Sequence, residues 1–175
     1  KAYCWGYNGY GTLGDGTTTS TSSPVAVSQT GPFGAESIIE VSAARAHACA
    51  TTQSGHGYCW GYNGSGALGD GTNANSAVPV AVGQSGVLAG KSLTHVVTGG
   101  LSTCALDLSG AAYCWGQNGY GQLGDGTKFN NANAVSVSVA NFSGATINQI
   151  SVGNNTTCAV TSDERAFCWG QGGQL

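Results

Sequence analysis

The residues with the most obvious chemistry are seven cysteines: Cys4, Cys49, Cys59, Cys104, Cys114, Cys158 and Cys168. Six fall into three pairs, Cys49/Cys59, Cys104/Cys114 and Cys158/Cys168, whose members lie ten positions apart. Zinc sites favour ligands about two to four residues apart, and a redox centre would show Cys-x-x-Cys; neither spacing occurs. A hairpin turning at Ser54-Gly55 would set Cys49 opposite Cys59. Opposed Cα atoms at a non-hydrogen-bonded antiparallel site are ~4.5 Å apart, within the ~4.4–6.8 Å that a disulfide spans. The pairs are read as structural disulfides, with reduced core thiols as the alternative, and regular disulfides imply an oxidising compartment. The partner expected for Cys4 would precede Lys1, so Cys4 is expected to be unpaired by truncation of the sequence.

Other residue rows could also do chemistry. Trp5, Trp60, Trp115 and Trp169 each follow a cysteine. Such rings could stack on sugars or hold a cation, but one ring per unit in one context favours packing between neighbouring sheets. Asp15, Asp70 and Asp125 sit in Leu-Gly-Asp-Gly-Thr. Calcium takes about six to eight oxygens and each Asp stands alone, so an Asx-turn is favoured, its carboxylate accepting backbone N–H groups between permissive glycines. The histidines His47, His56 and His95 occupy three different places in the pattern, and no Ser/His/Asp or Cys/His arrangement recurs. Glu36 and Glu40 are neighbours, but their counterparts Lys91/His95 and Ala145/Gln149 are not acidic. The glycine-rich run Gly6–Gly16 lacks the Gly-Lys-Ser/Thr of a phosphate loop. The sequence therefore predicts no catalytic residue, no metal site, no cofactor and no enzyme activity. Sequons at Asn63, Asn141, Asn154 and Asn155 permit glycosylation.

Charge narrows the partners. Five Lys+Arg stand against eight Asp+Glu, without a block of either sign. Nucleic acid needs a basic footprint and an anionic membrane surface a polybasic segment. No apolar run approaches the ~20 residues of a membrane helix. The expected partners are proteins or other copies of the same chain, with no nucleic acid and no membrane insertion.

These residues are positioned by a repeat. Tyr3–Thr17 recurs at Tyr58–Thr72 and Tyr113–Thr127, and a fourth copy opens at Phe167-Cys-Trp-Gly. The leading cysteines are 55, 55 and 54 residues apart. Counted this way the chain divides into 1–55, 56–110, 111–164 and the start of a further unit at 165–175. Val25-Ala-Val27, Val80-Ala-Val82 and Val135-Ser-Val137 alternate with the period of a half-buried strand. Ile38/Val41, Leu93/Val96 and Ile147/Ile150 mark a further apolar segment. Each period holds about four short strands with Gly, Ser, Asn and Asp between them, and nothing reads as a helix. The expectation is an all-β chain of β-propeller-type repeats, one four-stranded blade per period, forming a partial or open propeller in this stretch, with a β-solenoid as the runner-up.

The pattern Cys-Trp-Gly-x-Asn-x-x-Gly-x-Leu-Gly-Asp-Gly-Thr, then Pro-Val, then Val-Ser-x-x-x-x-His-x-Cys-Ala, resembles the regulator of chromosome condensation (RCC) repeat over the whole chain. The family's His matches only His47, since Ser102 and Thr156 replace it; the hairpin glycines Gly55 and Gly110 give way to Asp163-Glu164; and the Asn is lost at Gly172-Gly173. The resemblance implies a propeller and permits a guanine-nucleotide-exchange role, which the paired cysteines and scarce basic charge oppose. A related propeller inhibits β-lactamase, but no matching loop is visible. The reading is a non-enzymatic extracellular or cell-surface scaffold for protein binding or structural assembly, with a head-to-tail filament as alternative. Its binding residues are expected on the variable inserts Thr17–Ser23, Ser28–Ser37, Gly83–Ser92, Lys128–Asn133 and Ser138–Thr146.

Overall fold

The structure, a computed structural model, describes residues 1–172; the last three residues of the fourth copy, 173–175, lie outside the described part. Among the described residues thirteen strands follow one another: β1 (Tyr3–Gly6), β2 (Thr21–Ala26), β3 (Ile38–Ala43), β4 (His47–Thr52), β5 (Gly57–Gly61), β6 (Ser76–Ala81), β7 (Leu93–Gly99), β8 (Ser102–Asp107), β9 (Ala112–Gly116), β10 (Asn131–Ser136), β11 (Ile147–Val152), β12 (Thr156–Thr161) and β13 (Ala166–Gly170). They form antiparallel meanders: β1-β2, β3-β4-β5-β6, β7-β8-β9-β10 and β11-β12-β13. A unit counted from 1 to 55 thus spans the end of one sheet and the start of the next. The first strands β3, β7 and β11 pack against one another, which places them innermost and the Val-x-Val strands outermost.

Alternation explains the outer strands. Val27, Val82 and Val137 are buried just past β2, β6 and β10, whereas Ala26, Ala81 and Ser136 face outward. Pro24 and Pro79 fall in these outer strands, where a missing ladder donor is tolerated. Apolar residues of each sheet and the next fill the space between them; one cluster joins Leu68 and Val82 to Leu93, Val96 and Trp115.

The expectation of no helix needs amendment. Three short 3-10 segments, Gly31–Ala35, Gly86–Leu88 and Ala140–Phe142, lie inside inserts read from sequence as variable loops. Each drives one apolar side chain inward: Phe33 and Leu88 are fully buried and Phe142 nearly so. Phe33 packs on Tyr58 and Trp60, and Phe142 on Phe167 and Trp169. A single anchor per insert carries no 3.6-residue periodicity, so no helical signal exists to read.

Candidate functional site

The cysteine pairs occupy the middle two strands of each sheet. Cys49 faces Cys59, Cys104 faces Cys114 and Cys158 faces Cys168 in register. All three pairs are bridged, with Cα atoms 4.0, 4.1 and 4.1 Å apart. The hairpins joining them close through Gly55 and Gly110 at φ +82° and +74°, and through Glu164 at φ +66°. Cys4 on β1 is a free thiol, and burial, followed by the Asp15 charge, raises its pKa.

The indoles lie between sheets. Trp60 and Trp115 are fully buried and Trp169 partly so. Their Nε1 groups donate to Thr12 O, Ala67 O and Gln122 O of the preceding motif at 2.9, 3.0 and 3.0 Å. Trp5 is 61 % exposed. The first glycine of each Leu-Gly-Asp-Gly-Thr lies flat on the next tryptophan: a Cβ at Gly69, where φ is +70°, would fall 2.6 Å from Trp115 Nε1.

The aspartates are held by an element that sequence reading left aside. Asn8, Asn63 and Asn118 are fully buried. Each side-chain oxygen accepts the leucine N–H five residues on, at Leu13, Leu68 and Leu123, at 2.9 Å. Each Nδ2 donates to the motif carboxylate: Asp15 at 3.3 Å, Asp70 and Asp125 at 3.1 Å. The same carboxylates accept the Thr17, Thr72 and Thr127 N–H groups at 2.9–3.0 Å. Burial alone would raise the Asp15 pKa, but the bonds from Thr17 and Asn8 hold it below the ordinary value. N–H and O–H donors converge on these oxygens, the arrangement of an Asx-turn. The sequon at Asn63 is corrected by the same geometry: its amide nitrogen is enclosed and hydrogen-bonded, so no glycan fits there.

The structure also gathers a hydroxyl, an imidazole and a carboxylate that the sequence reading kept separate. Ser54 Oγ donates to Glu36 Oε2 at 2.5 Å, His56 Nδ1 lies 2.9 Å from Glu36 Oε1, and Ser54 Oγ lies 3.1 Å from the same Nδ1. A nucleophilic relay needs the serine on the nitrogen opposite the carboxylate; here both use Nδ1. The hydrogen bonds from Ser54 and then His56 hold Glu36 below its ordinary pKa. Among the described residues, no group of three His, Cys, Asp or Glu side chains is placed to hold a metal.

One cavity of about 390 Å³ opens where the innermost turns meet. Arg45, Leu101 and Asn154 come from the turns after β3, β7 and β11; Tyr62 and Gln117 follow β5 and β9, and Tyr10 follows β1. Tyr10 and Tyr62 form an edge-to-face pair, 5.0 Å between centroids.

Successive four-stranded meanders, first strand innermost and locked to the next by a buried tryptophan, define a β-propeller repeat array. The chain belongs to the Regulator of chromosome condensation (RCC1) repeat family, whose repeat matches residues 1–51, 54–106 and 109–160. The Ultraviolet-B receptor UVR8 of Arabidopsis thaliana is 31% identical over 175 residues, covering 99% of this chain and 38% of the receptor. Human WBSCR16 superposes with a TM-score of 0.83 at 23% identity, covering 99% of this chain and 44% of that one. Yeast RCC1 (Prp20), solved with Kap60, gives 0.83 at 23%, covering 98% and 40%. The chain therefore spans about two-fifths of the length of these relatives.

Proposed function

We infer that the chain is a repeat scaffold that binds proteins outside the cell or at its surface. The observation that carries this reading is the set of three bridged hairpins, since cystines persist in oxidising compartments. In the two four-stranded sheets the recurring side chains are engaged in the frame: Cys in bridges, Trp between sheets, Asn and Asp in the loop. Recognition then falls to residues that differ between units. The fold alone does not fix function, and the namesake exchange activity draws no support from a chain with scarce basic charge. Intact-mass measurement before and after reduction tests the compartment. Three bridges in native material, released as two hydrogens each, support it, and six free thiols from the paired cysteines overturn it.

A head-to-tail filament is the second reading. Successive sheets are fastened by one head-to-tail contact, Trp60 Nε1 on Thr12 O and Trp115 Nε1 on Ala67 O, and a contact of that kind extends into a fibre unless its rotation closes a ring. Electron microscopy of native material separates the two: discrete rings exclude the filament, and long fibres with a regular subunit repeat exclude the isolated propeller.

A further inference from the structure

We propose that the cavity at the meeting point of the innermost turns is a carbohydrate site, selective for an oligosaccharide that carries a carboxylate, as a uronic acid does. The proposal does not depend on the extracellular assignment. The cavity volume, about 390 Å³, lies at the small end of ligand pockets.

The aromatic wall is ordered. Tyr62 leans over Gly64, whose missing Cβ leaves room for the phenol, and Tyr10 meets Tyr62 edge-to-face. Tyr10 remains 41 % exposed. A pyranose has an apolar C–H face that packs on such a ring and a rim of hydroxyls, each both donor and acceptor. The opposite wall supplies matching chemistry. Gln117, Asn154 and Asn155 present amides, the side chains that donate and accept at once. Asn155 Nδ2 donates to Gln171 Oε1 at 2.9 Å, which orients that amide and leaves its oxygen as an acceptor. Arg45 is exposed at the rim, and among the described residues no carboxylate lines the cavity. A guanidinium without a resident acid fits a ligand that brings its own, as a bidentate partner.

A peptide fits less well. Strand addition needs free backbone groups, but the turn carbonyls of Ala46, Leu101 and Asn155 already accept from Tyr62, Gln117 and Gln171 N–H at 2.8, 2.9 and 2.9 Å. Side-chain capture needs an apolar pocket, and only Ala46 and Leu101 supply aliphatic surface there.

The test uses the intact oxidised chain on an array of neutral and uronic-acid-containing oligosaccharides, followed by calorimetry with the best acidic ligand. Binding with a Kd on the order of 0.1 mM is expected. Tyr10→Ala should weaken it about tenfold, a loss of some 1.4 kcal/mol, and Arg45→Ala should abolish the preference for acidic over neutral sugars. Tyr120→Ala serves as the control: Tyr120 holds the repeat position of Tyr10 but lies outside the cavity, and its loss should change nothing. Ring resonances of Tyr10 and Tyr62 in the unaltered protein, shifting on titration while Tyr120 stays fixed, locate the site without any substitution. Retention of neutral sugars only, competition by acetate at equal concentration, binding unchanged in Tyr10→Ala, or no oligosaccharide bound at millimolar concentration would each overturn the proposal.

Discussion

His47 is the residue whose burial has the clearest consequence. It sits fully buried at the start of β4, its Nε2 2.9 Å from Thr103 Oγ1 of the next sheet. Thr103 Oγ1 donates to Ala67 O at 2.8 Å, so it accepts from His47 Nε2–H, while the buried Nδ1 meets no acceptor among the described residues that would hold a second proton. Burial lowers its pKa from 6.5 to about 4. The unfolded chain therefore binds the extra proton between those values and the folded one does not. Stability is full above about pH 7 and falls as pH drops through this window, by about 3 kcal/mol at the lower end. His47→Gln should flatten that part of the stability profile while costing about 1–2 kcal/mol at neutral pH, as urea titrations across pH would show. Ser102 and Thr156 in the matching places carry no such titration. A second residue-scale expectation concerns the buried amides. Asn63→Ala strands the Leu68 N–H that Asn63 Oδ1 accepts and should cost about 2–3 kcal/mol in urea unfolding. The sequence showed Asn63 only as part of a family pattern and as a sequon; nothing in its spacing announces that one side-chain amide serves four groups, on Leu68, Asp70 and Thr72.

At the scale of the element, the hairpins were largely legible. Ten-residue cysteine spacing around Ser54-Gly55 correctly placed Cys49 opposite Cys59, because antiparallel pairing leaves little freedom once a turn is set. The last hairpin shows what relaxed. Glu164 occupies φ +66° where its counterparts are glycines, a conformation costing an L-residue about 1 kcal/mol. Glu164→Gly should stabilise the chain by up to about 1 kcal/mol, visible as a raised urea midpoint at unchanged slope. The flank of the hairpin was not legible, since it depends on contacts between distant inserts. Tyr113 Oη donates to Asp107 Oδ2 at 3.0 Å beneath Lys91, and Tyr58 Oη approaches Glu36 at 3.4 Å. At the matching place in the three-stranded sheet Phe167 has no hydroxyl to satisfy, and Arg165 covers its ring at 5.1 Å while pairing with Asp163. The carboxylate beneath the tyrosine comes from position 36 in one unit and position 107 in the next, so alignment of the repeats hides an interaction that the fold keeps.

Across the whole molecule, the repeat revealed the array, and the four-stranded blade it implied is observed complete in β3–β6 and β7–β10. What it concealed is how units are fastened. The glycine ahead of each aspartate reads as turn punctuation, yet its decisive property is the absence of a Cβ beneath the next tryptophan. Gly69 belongs to the loop between β5 and β6, and the ring it supports, Trp115, belongs to β9 of the following sheet. In an array where each unit touches only its neighbours, stability is a sum of unit terms and interface terms. Gly69→Ala acts on the interface term by forcing the added methyl into the indole and adds a local strain at φ +70°, while leaving both hairpins and both cystines intact. A cost of about 3 kcal/mol is expected from overpacking and backbone strain together. Hydrogen exchange distinguishes this from damage within one sheet. Amides of β3–β6 and of β7–β10 should lose protection together, while β11–β13, one interface further on, should lose less. If protection fell only in the sheet carrying the substitution, the tryptophan contact would not be the fastening between units, and the sheets would owe their order to the cystine-bridged hairpins instead.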